Sequence, residues 1–98
     1  MKPAAFQPLT QVFVCTHTRA PTDPLRSGCG AAGPAVFTAL KRASLEQRLP
    51  RNTWVTATGC MGLCPASGCS VAVMPRHQHY VEVTADDVEA LVGTLRGR

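Results

Sequence analysis

Thr53-Trp54-Val55-Thr56-Ala57-Thr58-Gly59-Cys60-Met61-Gly62-Leu63-Cys64 is a run of β-branched and aromatic residues that leads into a glycine-flanked pair of cysteines. Side chains of that kind suit a pleated, half-buried surface, so Thr53 to Thr58 reads as a strand. Three residues separate Cys60 from Cys64, Gly62 among them, so a tight loop can turn both sulfurs toward one point. Gly59 and Gly62 leave the backbone free to approach whatever occupies it. Two earlier thiols complete the pattern: Cys15, thirteen residues, Cys29, then thirty residues to Cys60. Four thiols in so short a chain ask for a shared partner.

Upstream, Gln11-Val12-Phe13-Val14 is a second apolar run, bounded by Pro8, and reads as a buried strand that delivers Cys15 at its end. Pro21, Asp23-Pro24 and Ser27-Gly28 mark Thr16 to Gly28 as a long loop. From Ala31 to Leu49, Val36, Leu40 and Ala43 recur at helical spacing, and Pro50 is the expected stop. A connection of that length between two strands favours a parallel, right-handed crossover. Downstream, Ser70 to Met74 and His79 to Val83 read as strands joined by the short polar link Pro75 to Gln78, which predicts an antiparallel hairpin. Thr84-Ala85-Asp86-Asp87 has the form of a capping box, with the Thr84 hydroxyl expected to accept from the Asp87 amide. A closing helix from Ala85 to Leu95 follows, with Val88, Leu91, Val92 and Leu95 on one face. The order β-α-β, then β-β-α, is α/β and thioredoxin-like: a four-stranded mixed sheet with two main helices. A Cys-x-x-Cys at the start of the first helix is absent, so the dithiol chemistry usual for that fold is not supported.

At 98 residues the chain is expected to form a single domain over 1–98, with 1–10 as an N-terminal arm. The formal charge of +4 is spread over scattered residues such as Arg19, Lys41, Arg51, Arg76 and Arg96, without the clustering that nucleic-acid binding requires, so no nucleic-acid partner is expected. No apolar run reaches the roughly 18 residues of a membrane span, and Pro3, Gln7 and Pro8 interrupt what a signal peptide would need. On these features the chain is expected to reside in the cytoplasm, away from membranes. In that reducing compartment five cysteines argue for a metal or redox site rather than structural disulfides. No Ser/His/Asp grouping, phosphate-cradling glycine loop or pair of catalytic carboxylates is visible, so no enzyme active site is expected.

Val12-Phe13-Val14-Cys15, Ser27-Gly28-Cys29-Gly30 with Gly33 after it, Thr56-Ala57-Thr58-Gly59-Cys60-Met61-Gly62-Leu63-Cys64 and the hairpin from Val71 to Tyr80 closely resemble the thioredoxin-like [2Fe-2S] ferredoxins, small bacterial proteins related to the Shethna-type iron-sulfur proteins. The resemblance spans roughly residues 11 to 96, and the plant-type spacing Cys-x₄-Cys-x₂-Cys is absent. It implies a [2Fe-2S] cluster held by Cys15, Cys29, Cys60 and Cys64, electron transfer to and from redox partner proteins, and a homodimer. Where the family commonly has Gly-Pro shortly after the last ligand, this chain has Ser67-Gly68-Cys69, and Cys69 stands as the alternative to Cys64.

Other readings of the same residues remain. Zinc also takes four thiolates but usually draws on two close cysteine pairs, and Cys15 and Cys29 are far apart in sequence. A thiol-disulfide or sensor function would use Cys60 and Cys64, and the cluster or a zinc ion could instead serve a structural or redox-sensing module of a metabolic or cofactor-assembly pathway. His17, two residues after Cys15, is read as a loop residue rather than a ligand, and His77 and His79 as surface residues of the hairpin. Met61 and Leu63 are read as packing beside the cysteines, and Trp54 and Tyr80 as core or dimer contacts.

Overall fold

Alternate valines build one face of the sheet. The computed structural model describes residues 1–17, 32–59, 61 and 68–97. Within them the chain runs β1 (Thr10–Cys15), α1 (Ala32–Leu45), β2 (Thr53–Thr58), β3 (Cys69–Met74), β4 (Gln78–Val83), a 3₁₀ turn (Ala85–Asp87) and α2 (Val88–Arg96). The sheet order is β2-β1-β3-β4. β1 pairs in parallel with β2, Val12 opposite Val55, and antiparallel with β3, Val12 opposite Val73 and Val14 opposite Val71. β3 and β4 form the expected antiparallel hairpin. The α/β architecture therefore agrees with the sequence reading, including the parallel crossover through α1.

Side chains of a strand alternate between faces, and the register puts Val12, Val14, Val55, Val71 and Val73 on the same one. They share a single core with Val36, Leu40 and Ala43 of α1 and with Val88, Leu91, Val92 and Leu95 of α2. The apolar stripes read from the helix periodicity are thus the buried ones. Gln11, Phe13, Trp54 and Ala72 lie on the opposite face, where the Phe6 ring meets Trp54 at 5.8 Å between centroids. Trp54 is accordingly not a core residue: it is 41% exposed. Tyr80 does pack against the core, half-buried, with its hydroxyl donating to Gln78.

Several boundaries differ from the sequence reading, most by a single residue. α1 stops at Leu45, short of Pro50, because Gln47 adopts a left-handed φ of 60° and closes the helix: its amide donates to the Ser44 carbonyl, and the Arg48 amide to that of Ala43. That is a Schellman ending, usually made with glycine, here made with glutamine. Gln78 belongs to β4 rather than to the connection, paired with Val73. The closing helix is a 3₁₀ turn followed by α2, and Thr84 and Asp87 form the expected capping box at its start. The Asp87 carboxylate accepts from the Thr84 amide at 2.9 Å, while the Asp87 amide donates to the Thr84 carbonyl, also at 2.9 Å.

Two polar links fasten the helices at their ends. Arg48, just beyond α1, donates to the Glu89 carboxylate at the start of α2, and that hydrogen bond, with the charge of Glu89, raises the guanidinium pKa above its ordinary value. Arg76, in the turn between β3 and β4, donates to the carbonyls of Thr94 and Leu95 in the last turn of α2 at 3.4 and 3.3 Å. Among the described residues no helix is long and apolar enough to cross a membrane.

Candidate metal centre

Cys15 is the last residue of β1 and is 2% exposed. Its parallel partner on β2 is Thr58, two residues before Cys60. The two strands stay joined beyond Cys15: the Thr16 amide and hydroxyl both donate to the Thr58 carbonyl, at 3.0 and 3.2 Å, and the Thr58 hydroxyl donates to the Gly59 carbonyl at 2.9 Å. β1 and β2 thus hold together up to Thr58, two residues before Cys60.

The first turn of α1 reaches the same place. A Cβ on Gly33 would lie 2.3 Å from the Cys15 carbonyl oxygen and 3.0 Å from the Thr16 Cα, closer than real Cβ atoms come, so only glycine lets the helix sit directly on the strand. Ala32, where α1 begins, is three residues after Cys29. β3 runs antiparallel to β1, which brings its first residue, Cys69, to this edge of the sheet as well. Cys69 is fully buried among the core residues, and Met61 packs half-buried against them.

Cys29, Cys60, Cys64 and Leu63 lie outside the described residues. Among those that are described, no group of three or more His, Cys, Asp or Glu side chains is placed to hold a metal ion. His17 is half-buried beside Cys15, and His77 and His79 are exposed at the hairpin, as read from the sequence.

No family model matches the chain. It is 34% identical over 82 residues to a 2Fe-2S ferredoxin of Aquifex aeolicus (strain VF5), covering 83% of this chain and 73% of that protein. The chain belongs to the thioredoxin-like [2Fe-2S] ferredoxin family. A 2Fe-2S ferredoxin of Clostridium pasteurianum is likewise 34% identical over 86 residues, covering 87% of this chain and 82% of the relative. Among proteins of known structure, the wild-type thioredoxin-like [2Fe-2S] ferredoxin of Aquifex aeolicus superposes with a TM-score of 0.79 at 33% identity, covering 92% of this chain and 88% of the other. That likeness bears out the family and fold that the cysteine spacing and the order of elements had suggested.

Within this ferredoxin fold, two residues matter more than their sequence context announced. Gly33 was legible only as part of a motif; a glycine in the first turn of a helix is a poor helix former and so a sign of close packing. Gly68 enters the sequence reading only as part of Ser67-Gly68-Cys69, and its close approach to the Glu82 backbone depends on a bulge in β4 that no local signal reveals.

Proposed function

We propose that this ferredoxin-family chain is a one-electron carrier whose [2Fe-2S] cluster is held by Cys15, Cys29, Cys60 and Cys64. The observation that carries the reading is the convergence at Cys15. Thr58 pairs with it two residues before Cys60, and Gly33 rests on its carbonyl four residues after Cys29. Thr58 and Gly33 are near neighbours in sequence of Cys60 and Cys29, and that proximity supports the choice of those two cysteines as fellow ligands of Cys15. The donor set fits such a cluster, which needs two thiolates on each iron. When bound, the cluster supplies a one-electron couple.

The chain's own residues do the rest. Cys15 is withheld from water, the Thr16–Thr58 hydrogen bonds keep the ends of β1 and β2 from parting, and Met61 adds apolar cover against the core. The reading has no place for an enzyme: the partners are redox proteins that deliver and accept electrons, in the cytoplasm, and the working form is a homodimer.

The test is direct. Anaerobically prepared protein should carry about two iron and two acid-labile sulfides per chain. Dithionite should bleach the visible bands and produce a paramagnetic EPR signal, and reoxidation should restore the starting spectrum with the iron retained. Light scattering should return twice the mass of one chain. Iron lost at every cycle would favour a structural or sensing cluster instead, and zinc without sulfide would exclude the cluster.

A further inference from the structure

Gly68 closes the segment that begins at Cys60, and it is pressed backbone to backbone against β4. A Cβ there would lie 2.5 Å from the Glu82 carbonyl carbon, 2.8 Å from the Glu82 Cα and 2.8 Å from the Val83 nitrogen, and the residue's φ is +69°. The partner is itself unusual. Glu82 holds a φ of +59° inside a strand. The register explains why: Cys69 pairs with Val83 and Val71 with Tyr80, so β4 supplies Val81 and Glu82 against the single residue Ser70. This is a β-bulge, a feature concentrated beside functional sites, where it re-aims the chain. Left-handed backbone in a residue other than glycine persists only where its surroundings over-determine it. Here they do: Cys69, Ser70 and Val71 on one strand and Val83 on the other are all buried.

We propose that Gly68 is a positioning residue for the electron-transfer couple. Locked against the Glu82 bulge, it fixes the point at which the chain, four residues after Cys64, rejoins the sheet. A change at that junction is expected to reach the cluster through the four residues back to Cys64 and to be read out in how firmly the cluster is held and at what potential it cycles, because hydrogen bonds to the sulfurs and exposure to solvent tune both. The inference rests on the reading that Cys60 and Cys64 are ligands. A purely structural bulge would set the stability of the β3–β4 hairpin and nothing at the cluster, so the two roles part experimentally.

The experiment compares the anaerobic holoprotein with Gly68→Ala, Glu82→Gly, the double variant, and Gly93→Ala as a glycine whose Cβ would meet nothing within 4 Å. Midpoint potential, EPR g values, iron release to a chelator and thermal unfolding are measured on each. Gly68→Ala is expected to keep its iron and sulfide but to show a displaced potential, altered g values and iron release at least about tenfold faster. Glycine at position 82 lets the opposing backbone retreat, so the double variant should recover part of each change. Gly93→Ala should alter none of the cluster properties.

A Gly68→Ala protein that melts earlier while its potential, g values and iron release stay as in the wild type would overturn the proposal. If that variant does not fold, the double variant decides: residual displacement supports the positioning role, and wild-type values in all three cluster measurements overturn it. Zinc without sulfide in the wild-type chain would overturn the ligand reading itself, a result distinct from an unresponsive but loaded Gly68 variant.

Discussion

Gly33 and Cys15 meet backbone to backbone: a methyl group on the glycine would stand 2.3 Å from the cysteine's carbonyl oxygen. Gly33→Ala must therefore push α1 off β1 at the proposed ligand. The neighbouring atoms belong to the main chain and cannot swing away like a flexible side chain. The expected cost is about 1–3 kcal/mol in chemical denaturation. Gly93→Ala, in the exposed middle of α2 with open space around it, should instead gain about 0.5–1 kcal/mol. Equal effects from the two substitutions would remove the special standing of the Gly33 contact.

Serine at Cys15, Cys29, Cys60 or Cys64 should abolish the visible spectrum or leave a cluster that decays during purification. Cys69→Ser should keep the spectrum and lower stability by about 1–3 kcal/mol, since it puts a hydroxyl at a fully buried position. A spectrum retained in Cys64→Ser and lost in Cys69→Ser would exchange the two assignments.

Leu40 is fully buried at the centre of the α1 stripe that faces the sheet. Leu40→Ala should cost about 2–5 kcal/mol in denaturant unfolding. A loss well under 1 kcal/mol would mean that α1 does not pack on the valine face as described.

Arg76 brings its charge to the C-terminal turn of α2, where helix carbonyls lack partners. Arg76→Ala should lower stability by about 0.3–1 kcal/mol at low ionic strength, less at high salt, with Arg76→Lys retaining part of the difference. Thermal melts at two salt concentrations check it, and a loss independent of salt would point to packing by the aliphatic stem instead.

What the sequence discloses about this fold, it discloses through periodicity. Thr53 to Thr58 begins and ends where composition places it, and Val88, Leu91, Val92 and Leu95 are the buried side of α2. Features set by backbone conformation were less visible. Nothing in Leu45-Glu46-Gln47 announces a left-handed turn, because glutamine is not a residue that favours one, and so Pro50 looked like the stop. Val81-Glu82 likewise carries no glycine or asparagine to mark a bulge. Trp54 misleads for another reason: an aromatic in a strand can face either side of the sheet, and its parity with Gln11 and Phe13 is known only once register is fixed. At the candidate centre, spacing singled out the cysteines, whereas the glycine contacts at positions 33 and 68 are long-range facts of the folded chain.

The fastening of α2 by Arg76 has a practical side. The turn that carries Arg76 follows Met74, which pairs with Gln11 at the beginning of β1, so it lies at the other end of that strand from Cys15, a length of roughly 17–20 Å. The last helical turn is moored there. A protein immobilised through Arg96 or Gly97 on a resin or an electrode would turn its cysteine-bearing edge toward the solution, open to a soluble partner. Attachment through the β1–β2 edge at Thr16 and Gly59 would bring that same edge against the support, and the contrast in heterogeneous electron-transfer rate between the two orientations would map the molecule's polarity without any partner protein.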